Sequence, residues 1–178
     1  QTSAKEYPAD LIIFAIGFDA MTGPLVNLGI EGRGGVSLKE AWQDGPECYL
    51  GIAAPGFPNL FMVNGPSSVS VLSNMIMTLE HHVDWIADCI EAMGKEGRDT
   101  IEAREDATHE WAEHTEMVAN RTLFPKANSW YMGANVPGKP RMFMAYIGGV
   151  DNQLPPLEAT AAGRPPPADR FHPQREGA

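Results

Sequence analysis

The chain has 178 residues, 43% of them hydrophobic, and a formal net charge of −10. This length suits one domain with a sizeable core, and the acidic balance argues against a nucleic-acid partner, which would need a basic face. No apolar run is long enough to cross a membrane, so we expect no membrane partner. Cys48 and Cys89 lack a CxxC spacing and predict free buried thiols in a reducing compartment, which favours a cytoplasmic protein.

Three short apolar runs predict β-strands, at residues 10–15, 49–53 and 60–63. Continuous apolar runs of this length are typical of parallel strands that are covered on both faces. Residues 128–147 alternate aromatic residues with Gly and Pro, which predicts further short strands joined by a loop. The sequence therefore indicates an α/β fold.

A long helix is predicted after the third strand. Its apolar residues recur every three or four positions and form one helical face: Leu72, Met75, Ile76, Leu79, Val83, Ile86, Ile90 and Met93. Ser70 or Ser73 can supply the N-cap oxygen, and Gly94 and Gly97 can end the helix. A second helix, at residues 104–120, has a weak apolar stripe and a charged, solvated face.

The histidines do not form a recognisable metal site. His109 and His114 are five residues apart, which places them about 140° apart around a helix, whereas a zinc helix needs two histidines four residues apart. We interpret this pair as part of the solvated face. His81 and His82 are adjacent, point to different sides and are interpreted as ordinary surface histidines.

The turn at residues 64–66 is the best candidate for ligand binding. It lies between a predicted buried strand and a helix N-terminus, where ligands collect in α/β folds. Gly65 would let the backbone approach a flat ligand, and the helix would offer free N–H groups. Any strand-to-helix loop also uses small turn residues, so a plain turn remains open. For Trp130, both core packing and a ligand-facing position remain open.

Three segments resemble Baeyer–Villiger monooxygenases. Residues 14–20, FAIGFDA, are similar to the FATGFDA strand end of that family. Residues 65–75, GPSSVSVLSNM, resemble the flavin-side loop and helix of the phenylacetone and cyclohexanone monooxygenase branch. Residues 128–139, NSWYMGANVPGK, resemble the NADP-side segment of that branch. The resemblance covers about residues 5–150, with Ile16 in place of the usual Thr.

The resemblance implies an enzyme that uses FAD, NADPH and O₂ to insert one oxygen atom next to a ketone carbonyl, giving an ester or lactone. The chain would be the C-terminal, incomplete part of a flavoprotein with two dinucleotide-binding domains. Residues 1–20 would form a strand returning from the NADP domain, and residues 21–150 would end the FAD-binding domain. The missing N-terminal half would be its partner. Residues 151–178, rich in Pro, Ala and Arg, predict a disordered tail.

The resemblance also assigns residues to sites. Those expected against FAD are Gly65, Pro66, Ser73, Asn74 and Met75. Those expected to shape the ketone pocket are Val69, Ser70, Val71 and Leu72. Those expected on the NADP side are Trp130, Lys139, Gly17 and Asp19. No catalytic residue is expected in this chain. Two alternatives remain: an N- or S-oxygenating flavin monooxygenase, or a non-catalytic fragment that binds another chain through its exposed strand edge and apolar helix face.

Overall fold

The structure is a computed structural model that describes residues 4–13, 17–69 and 72–149. Within these ranges the regular elements are four α-helices and three short 3₁₀ turns. The helices are α1 (Gly23–Val26), α2 (Leu38–Ala41), α3 (Met75–Glu96) and α4 (Glu105–Ala119). The 3₁₀ turns are Arg33–Gly35, Phe124–Lys126 and Trp130–Met132.

The long helix α3 confirms the helix predicted after residue 63. Its N-cap is Asn74, whose side-chain oxygen accepts a hydrogen bond from the Ile76 amide at 3.0 Å, rather than Ser73. Ser70, the other expected cap, lies outside the described residues. The helix continues through Gly94 and ends at Gly97, whose φ of 61° is left-handed and suits a residue without Cβ.

The apolar face predicted for α3 is largely open to solvent. Leu72, Ile76, Val83 and Ile90 are 71%, 63%, 53% and 54% exposed. A different face is buried, and its residues are Thr78, His82, Trp85 and Cys89. Trp85 and Cys89 share a core cluster with residues of α4, so the rest of the described chain packs against only one side of the helix.

Helix α4 confirms the prediction at residues 104–120 to within one residue at each end. One side of it carries five buried residues: Ala107, Thr108, Trp111, Thr115 and Ala119. The other side is solvated, and His109 pairs there with Glu113 at 3.3 Å. The amphipathic spacing therefore predicts the correct face for this shorter helix.

The expected strand at residues 49–53 is wrong, because this segment folds into a tight turn. Leu50 and Gly51 have φ angles of 55° and 67°, which are incompatible with an extended strand. The turn is closed by a hydrogen bond from the Ile52 amide to the Tyr49 carbonyl at 2.9 Å, and Tyr49 forms an isolated bridge with Ala53. The run is apolar because the turn is buried in the core.

The other expected strands also do not form within the described residues. Residues 11–13 are exposed and have no strand beside them there, and residues 14–16 lie outside the described ranges. Residues 60–63 are bounded by Asn59 and Asn64, whose positive φ angles turn the chain at both ends. Residues 128–147 contain a 3₁₀ turn in place of strands. A strand needs a continuous ladder of backbone hydrogen bonds, and the described residues make only isolated ones here, such as that from the Met62 amide to the Ile52 carbonyl at 2.7 Å.

Three core clusters hold the described residues together. The first joins α3, α4 and the turn at residues 49–53, the second surrounds α2, and the third lies around Phe143. Cys48 and Cys89 are buried free thiols, as predicted, and burial raises the pKa of Cys89 to about 12. No helix in the described residues is long and apolar enough to cross a membrane. The predicted disordered tail lies outside them.

Candidate functional site

The loop at residues 64–69, which precedes α3, packs its backbone directly on the turn at residues 49–53. The Gly65 amide donates to the Gly51 carbonyl at 3.0 Å, and a Cβ on Gly65 would lie 2.5 Å from that oxygen. The close approach that Gly65 permits is therefore to Gly51 within the chain. Pro66 beside it is fully buried. These two residues, expected against FAD, are covered here by atoms of the chain itself.

The 64–69 loop is also fixed by the segment at residues 144–146 and by α4. Ser67 donates its amide to the Met144 carbonyl, and the Val69 carbonyl accepts from the Tyr146 amide, both at 2.9 Å. The Trp111 indole donates to the Ser67 carbonyl at 3.3 Å. Ser67 has a φ of 65°, an unusual backbone for a residue with a Cβ, so these three contacts maintain an uncommon conformation.

Three aromatic side chains, those of Trp111, His114 and Tyr146, pack together beside this loop. The Tyr146 ring is fully buried, with its centroid 4.9 Å from that of Trp111, and its hydroxyl lies 2.9 Å from His114 Nε2. Burial raises the pKa of Tyr146. His114 stacks on Trp111 at 5.5 Å and is half-buried, so the interpretation of His114 as part of the solvated face is wrong. Its contacts with the Trp111 indole and the Tyr146 hydroxyl keep the His114 side chain partly buried.

His82 is a second histidine whose sequence interpretation is wrong. Its side chain is fully buried, and its Nδ1 accepts a hydrogen bond from the Asn64 amide at 3.1 Å. Burial, together with the neighbouring His81, lowers the pKa of His82 to about 4. Its position in the α3 series of buried residues is the one signal that could have indicated burial, because Trp85 and Cys89 follow at helical spacing.

The remaining residues expected at the FAD and ketone sites lie around the start of α3. Met75 and Leu72 are exposed, and the Asn74 side chain is occupied as the helix cap. The Ser73 hydroxyl is buried and has no hydrogen-bond partner in the described part of the chain. Val69 is half-buried. Ser70 and Val71 lie outside the described residues.

The residues expected on the NADP side fall into two groups. Lys139 forms an ion pair with Asp19 and donates to Thr22 Oγ1 at 2.7 Å. Gly17 is exposed, two residues before Asp19. Trp130 is separate from this cluster: it is 41% exposed, and its ring lies 3.9 Å from that of Tyr131.

Electrostatics favour the charged form of Asp19. Burial alone would raise the pKa of this carboxyl, but the hydrogen bond and charge of Lys139 and the hydrogen bonds from Thr22 outweigh that effect. The pKa of Asp19 therefore lies below its ordinary value, and the ion pair persists at neutral pH. A further bond, from Asn135 Nδ2 to the Phe18 carbonyl at 2.8 Å, joins the same two segments.

Neither a metal centre nor a cleft coincides with the residues expected at a site in the described part of the chain. The described residues contain no group of three or more His, Cys, Asp or Glu side chains that could hold a metal ion. A cleft of about 430 Å³ lies between α4 and residues 141–143, and Glu113, Glu116 and Arg141 line part of it. None of the residues expected from the sequence at a cofactor or substrate site lines this cleft.

Several known proteins are similar to this chain in sequence and in structure. No family model matches the chain. A Baeyer–Villiger monooxygenase of Pseudooceanicola batsensis is 43% identical over 150 residues, which make up 84% of this chain and 27% of that protein. The closed crystal structure of cyclohexanone monooxygenase matches with a TM-score of 0.84 and 36% identity, over 94% of this chain and 31% of that one. OTEMO in complex with FAD and NADP matches with a TM-score of 0.78 and 30% identity, over 98% and 31%.

Over most of its own length, the chain is therefore similar to one part of known flavin-dependent monooxygenases. Within that class its relatives are named Baeyer–Villiger and cyclohexanone monooxygenases, which confirms the resemblance carried by the three sequence segments. The chain spans less than a third of the length of these relatives.

Proposed function

We propose that this chain is the C-terminal part of an FAD- and NADPH-dependent Baeyer–Villiger monooxygenase that converts a ketone to an ester or lactone. The observation that carries the proposal is the match to cyclohexanone monooxygenase over 94% of the chain with a TM-score of 0.84. The bound FAD supplies the oxygen-transfer chemistry, while residues of this chain bind and orient it and keep water away. Residues 21–150 complete the FAD-binding domain, and residues 1–20 return from the NADP-binding domain.

The start of α3 fits a large polar cofactor. Ser73 Oγ and Asn64 Oδ1 are buried atoms without a hydrogen-bond partner among the described residues, and such atoms call for one. Asn74 and Met75, which follow Ser73 in the sequence, are exposed. The first turn of a helix also presents backbone N–H groups and a partial positive charge, which suit a flavin edge or phosphate. FAD would cover this end of α3, with Gly65 and Pro66 as the buried floor.

We propose that the residues expected near the nicotinamide cofactor have different roles. Trp130 offers an exposed indole face and is the residue that would contact NADP directly. Lys139 is tied to Asp19, so this pair would position the segment that carries Trp130, with Gly17 at the adjoining chain bend. On the ketone side, Val69, Ser70, Val71 and Leu72 would shape the pocket, and Leu72 is exposed enough to reach a substrate.

The partner of this chain would be the N-terminal half of the same enzyme. Leu11, Ile12 and Ile13 are 76%, 70% and 79% exposed, and the apolar face of α3 is also open. Exposed apolar side chains grouped in this way are typical of a surface that another protein segment covers. Upstream strands would pair with residues 10–15 and complete a parallel sheet, and upstream residues would cover α3. The two free thiols are consistent with a cytoplasmic location.

A chimaera tests the proposal. The matching segment of the Pseudooceanicola batsensis monooxygenase is replaced with this chain, and the purified product is assayed for bound FAD and for NADPH-dependent oxidation of cyclic ketones, thioethers and amines. The proposal predicts a yellow protein that makes lactones. Bound FAD with only S- or N-oxides would support the alternative oxygenase. A colourless, folded protein would support a non-catalytic fragment. The isolated chain is the control and should bind FAD weakly or not at all, because it lacks a dinucleotide-binding turn.

A further inference from the structure

The geometry points to His82 as the positioning residue of the candidate cofactor loop. It acts as a neutral imidazole that accepts the Asn64 amide proton and so fixes the bend at which residues 64–69 begin. In its consequences for cofactor binding, this inference rests on the proposed function. The effect of His82 on the backbone at Asn64 does not depend on the proposed function, so the two effects can be measured separately.

The hydrogen bond from Asn64 fixes the protonation state of the His82 ring. An imidazole nitrogen that accepts a hydrogen bond carries no proton, so the proton of neutral His82 lies on Nε2. The protonated ring would carry a hydrogen on both nitrogens and would turn a donor toward the Asn64 N–H group. The low pKa that burial gives His82 is consistent with the neutral form.

His82 binds the backbone at a bend with an uncommon conformation. Asn64 has a φ of 55°, in the left-handed region, and the next residue must place the Gly65 amide on the Gly51 carbonyl. Asn tolerates this conformation better than most residues, yet it remains less favourable than an ordinary bend. The hydrogen bond to His82 supplies a partner for the amide of this partly buried bend, which has reduced access to solvent.

The position of His82 in α3 links the loop to the start of the helix. His82 lies two turns into the helix whose start carries Asn74 and Met75. A side chain on this rigid element therefore fixes the first residue of the loop relative to the helix N-terminus. Nε2 has no hydrogen-bond partner within the described ranges, so the bond to Asn64 is the polar contact that the structure gives this ring there.

Matched variants separate positioning from simple packing. In His82→Asn, the amide oxygen can occupy the position of Nδ1 and accept from Asn64, whereas in His82→Leu the volume is retained but no acceptor remains. In His82→Gln, the longer side chain places its amide near the position of Nε2. The local measurement is hydrogen exchange of the Asn64 amide in the complete 178-residue chain, with the Gly97 amide as an internal reference, because it bonds within the α3 cap.

We expect His82→Leu and His82→Gln to speed exchange at Asn64 by about tenfold or more, and His82→Asn to stay within about threefold of the wild type. Equal exchange rates in all three variants would overturn the inference, as would a ring ¹⁵N spectrum that shows the proton on Nδ1. If a variant does not fold, the ¹⁵N spectrum of the wild-type chain still decides the tautomer.

The consequence for the cofactor is tested in the chimaera. There His82→Leu should weaken FAD binding by about tenfold while His82→Asn retains it, and melting temperatures separate this effect from a general loss of stability. A colourless wild-type chimaera would refute the proposed function and leave the exchange result standing. A yellow chimaera in which both variants bind FAD equally well would refute the role of His82 at the cofactor.

Discussion

Lys139 and Asp19 form an ion pair across 120 residues of sequence, and the same ammonium group donates to Thr22. The Lys139 side chain is only 12% exposed. This contact joins the two sequence segments that resemble the NADP side of the family, so one segment cannot move far without breaking the pair. Its geometry makes Lys139 a structural residue as well as a candidate neighbour of the cofactor.

Removal of either partner should destabilise the chain. We expect Lys139→Met and Asp19→Asn each to lower the free energy of unfolding by about 1–3 kcal/mol, because each leaves a partly buried polar group without its partner. The double variant should lose clearly less than the sum of the two. Urea unfolding of all four proteins measures the coupling. The matched control is Lys95→Met, whose exposed pair with Glu91 should contribute less than about 0.5 kcal/mol. Additive losses would contradict the pairing.

Two glycines should respond in opposite directions to the same substitution. Gly65→Ala places a Cβ against the Gly51 carbonyl and should lower the free energy of unfolding by several kcal/mol. The loss should be about 2–4 kcal/mol if the backbone of the turn can shift to make room. Gly94→Ala, inside α3 with open space around it, should stabilise by roughly 0.5–1 kcal/mol. Thermal unfolding of both variants is sufficient. A harmless Gly65→Ala would show that the loop and turn do not touch as described.

Adjacent positions on α3 should distinguish its two faces. Ile90→Gln, at an exposed site, should change stability of the isolated chain by less than about 0.5 kcal/mol. Cys89→Gln, at a fully buried site, should cost about 2 kcal/mol or more through overpacking and an unsatisfied amide. In the chimaera we expect the N-terminal half to cover Ile90. There Ile90→Gln should lower the stability as well. Equal tolerance of Ile90→Gln in both proteins would argue against that docking.

The buried state of His82 predicts an acid-sensitive stability. Its pKa is about 4 in the folded chain and 6.5 for the ordinary side chain, so the unfolded state takes up the proton first as the pH falls. The full contribution is therefore present above pH 6.5 and is lost progressively down to about pH 4, by roughly 3 kcal/mol in total. Unfolding titrations at several pH values measure this slope. His82→Asn should remove it, and an unchanged slope in that variant would assign the acid sensitivity to other groups.

The sequence predicts the two long helices well because their signals are local. Helix α4 begins and ends within one residue of the prediction, and α3 has the left-handed glycine expected at its end. The apolar periodicity of α3 also identifies its apolar face. The periodicity does not indicate whether this face is exposed to solvent in the isolated chain, because the exposure depends on which other segments are present to cover it.

The strands and the supporting contacts could not be predicted in the same way. A short apolar run is compatible with a strand or with a buried turn, and at residues 49–53 the left-handed Leu50 and Gly51 decide for the turn. Contacts such as Lys139 with Asp19 join residues far apart in sequence and leave no periodic trace. His82 is similar: its helical spacing to Trp85 and Cys89 is the one sign of burial, and the packing of α3 decides that this face is the buried one.

Leu72 offers a prediction about specificity. It lies 71% exposed just before α3, where the family resemblance places the ketone pocket. In the chimaera we expect Leu72→Ala to change the ratio of kcat/KM for bulky and small ketones by about tenfold, with little change in FAD content. The stability cost should be small, since an exposed leucine buries little area. An unchanged ratio would remove Leu72 from the pocket.

The central claim, that this chain completes a Baeyer–Villiger monooxygenase, is tested most directly by isotope labelling. The chimaera is supplied with NADPH, ¹⁸O₂ and cyclohexanone, and the product is analysed by mass spectrometry. We expect a lactone that carries one ¹⁸O atom and that forms only when both NADPH and FAD are present. A chimaera that binds FAD and consumes NADPH, yet forms no labelled lactone from cyclohexanone or from a panel of cyclic and linear ketones, would contradict it.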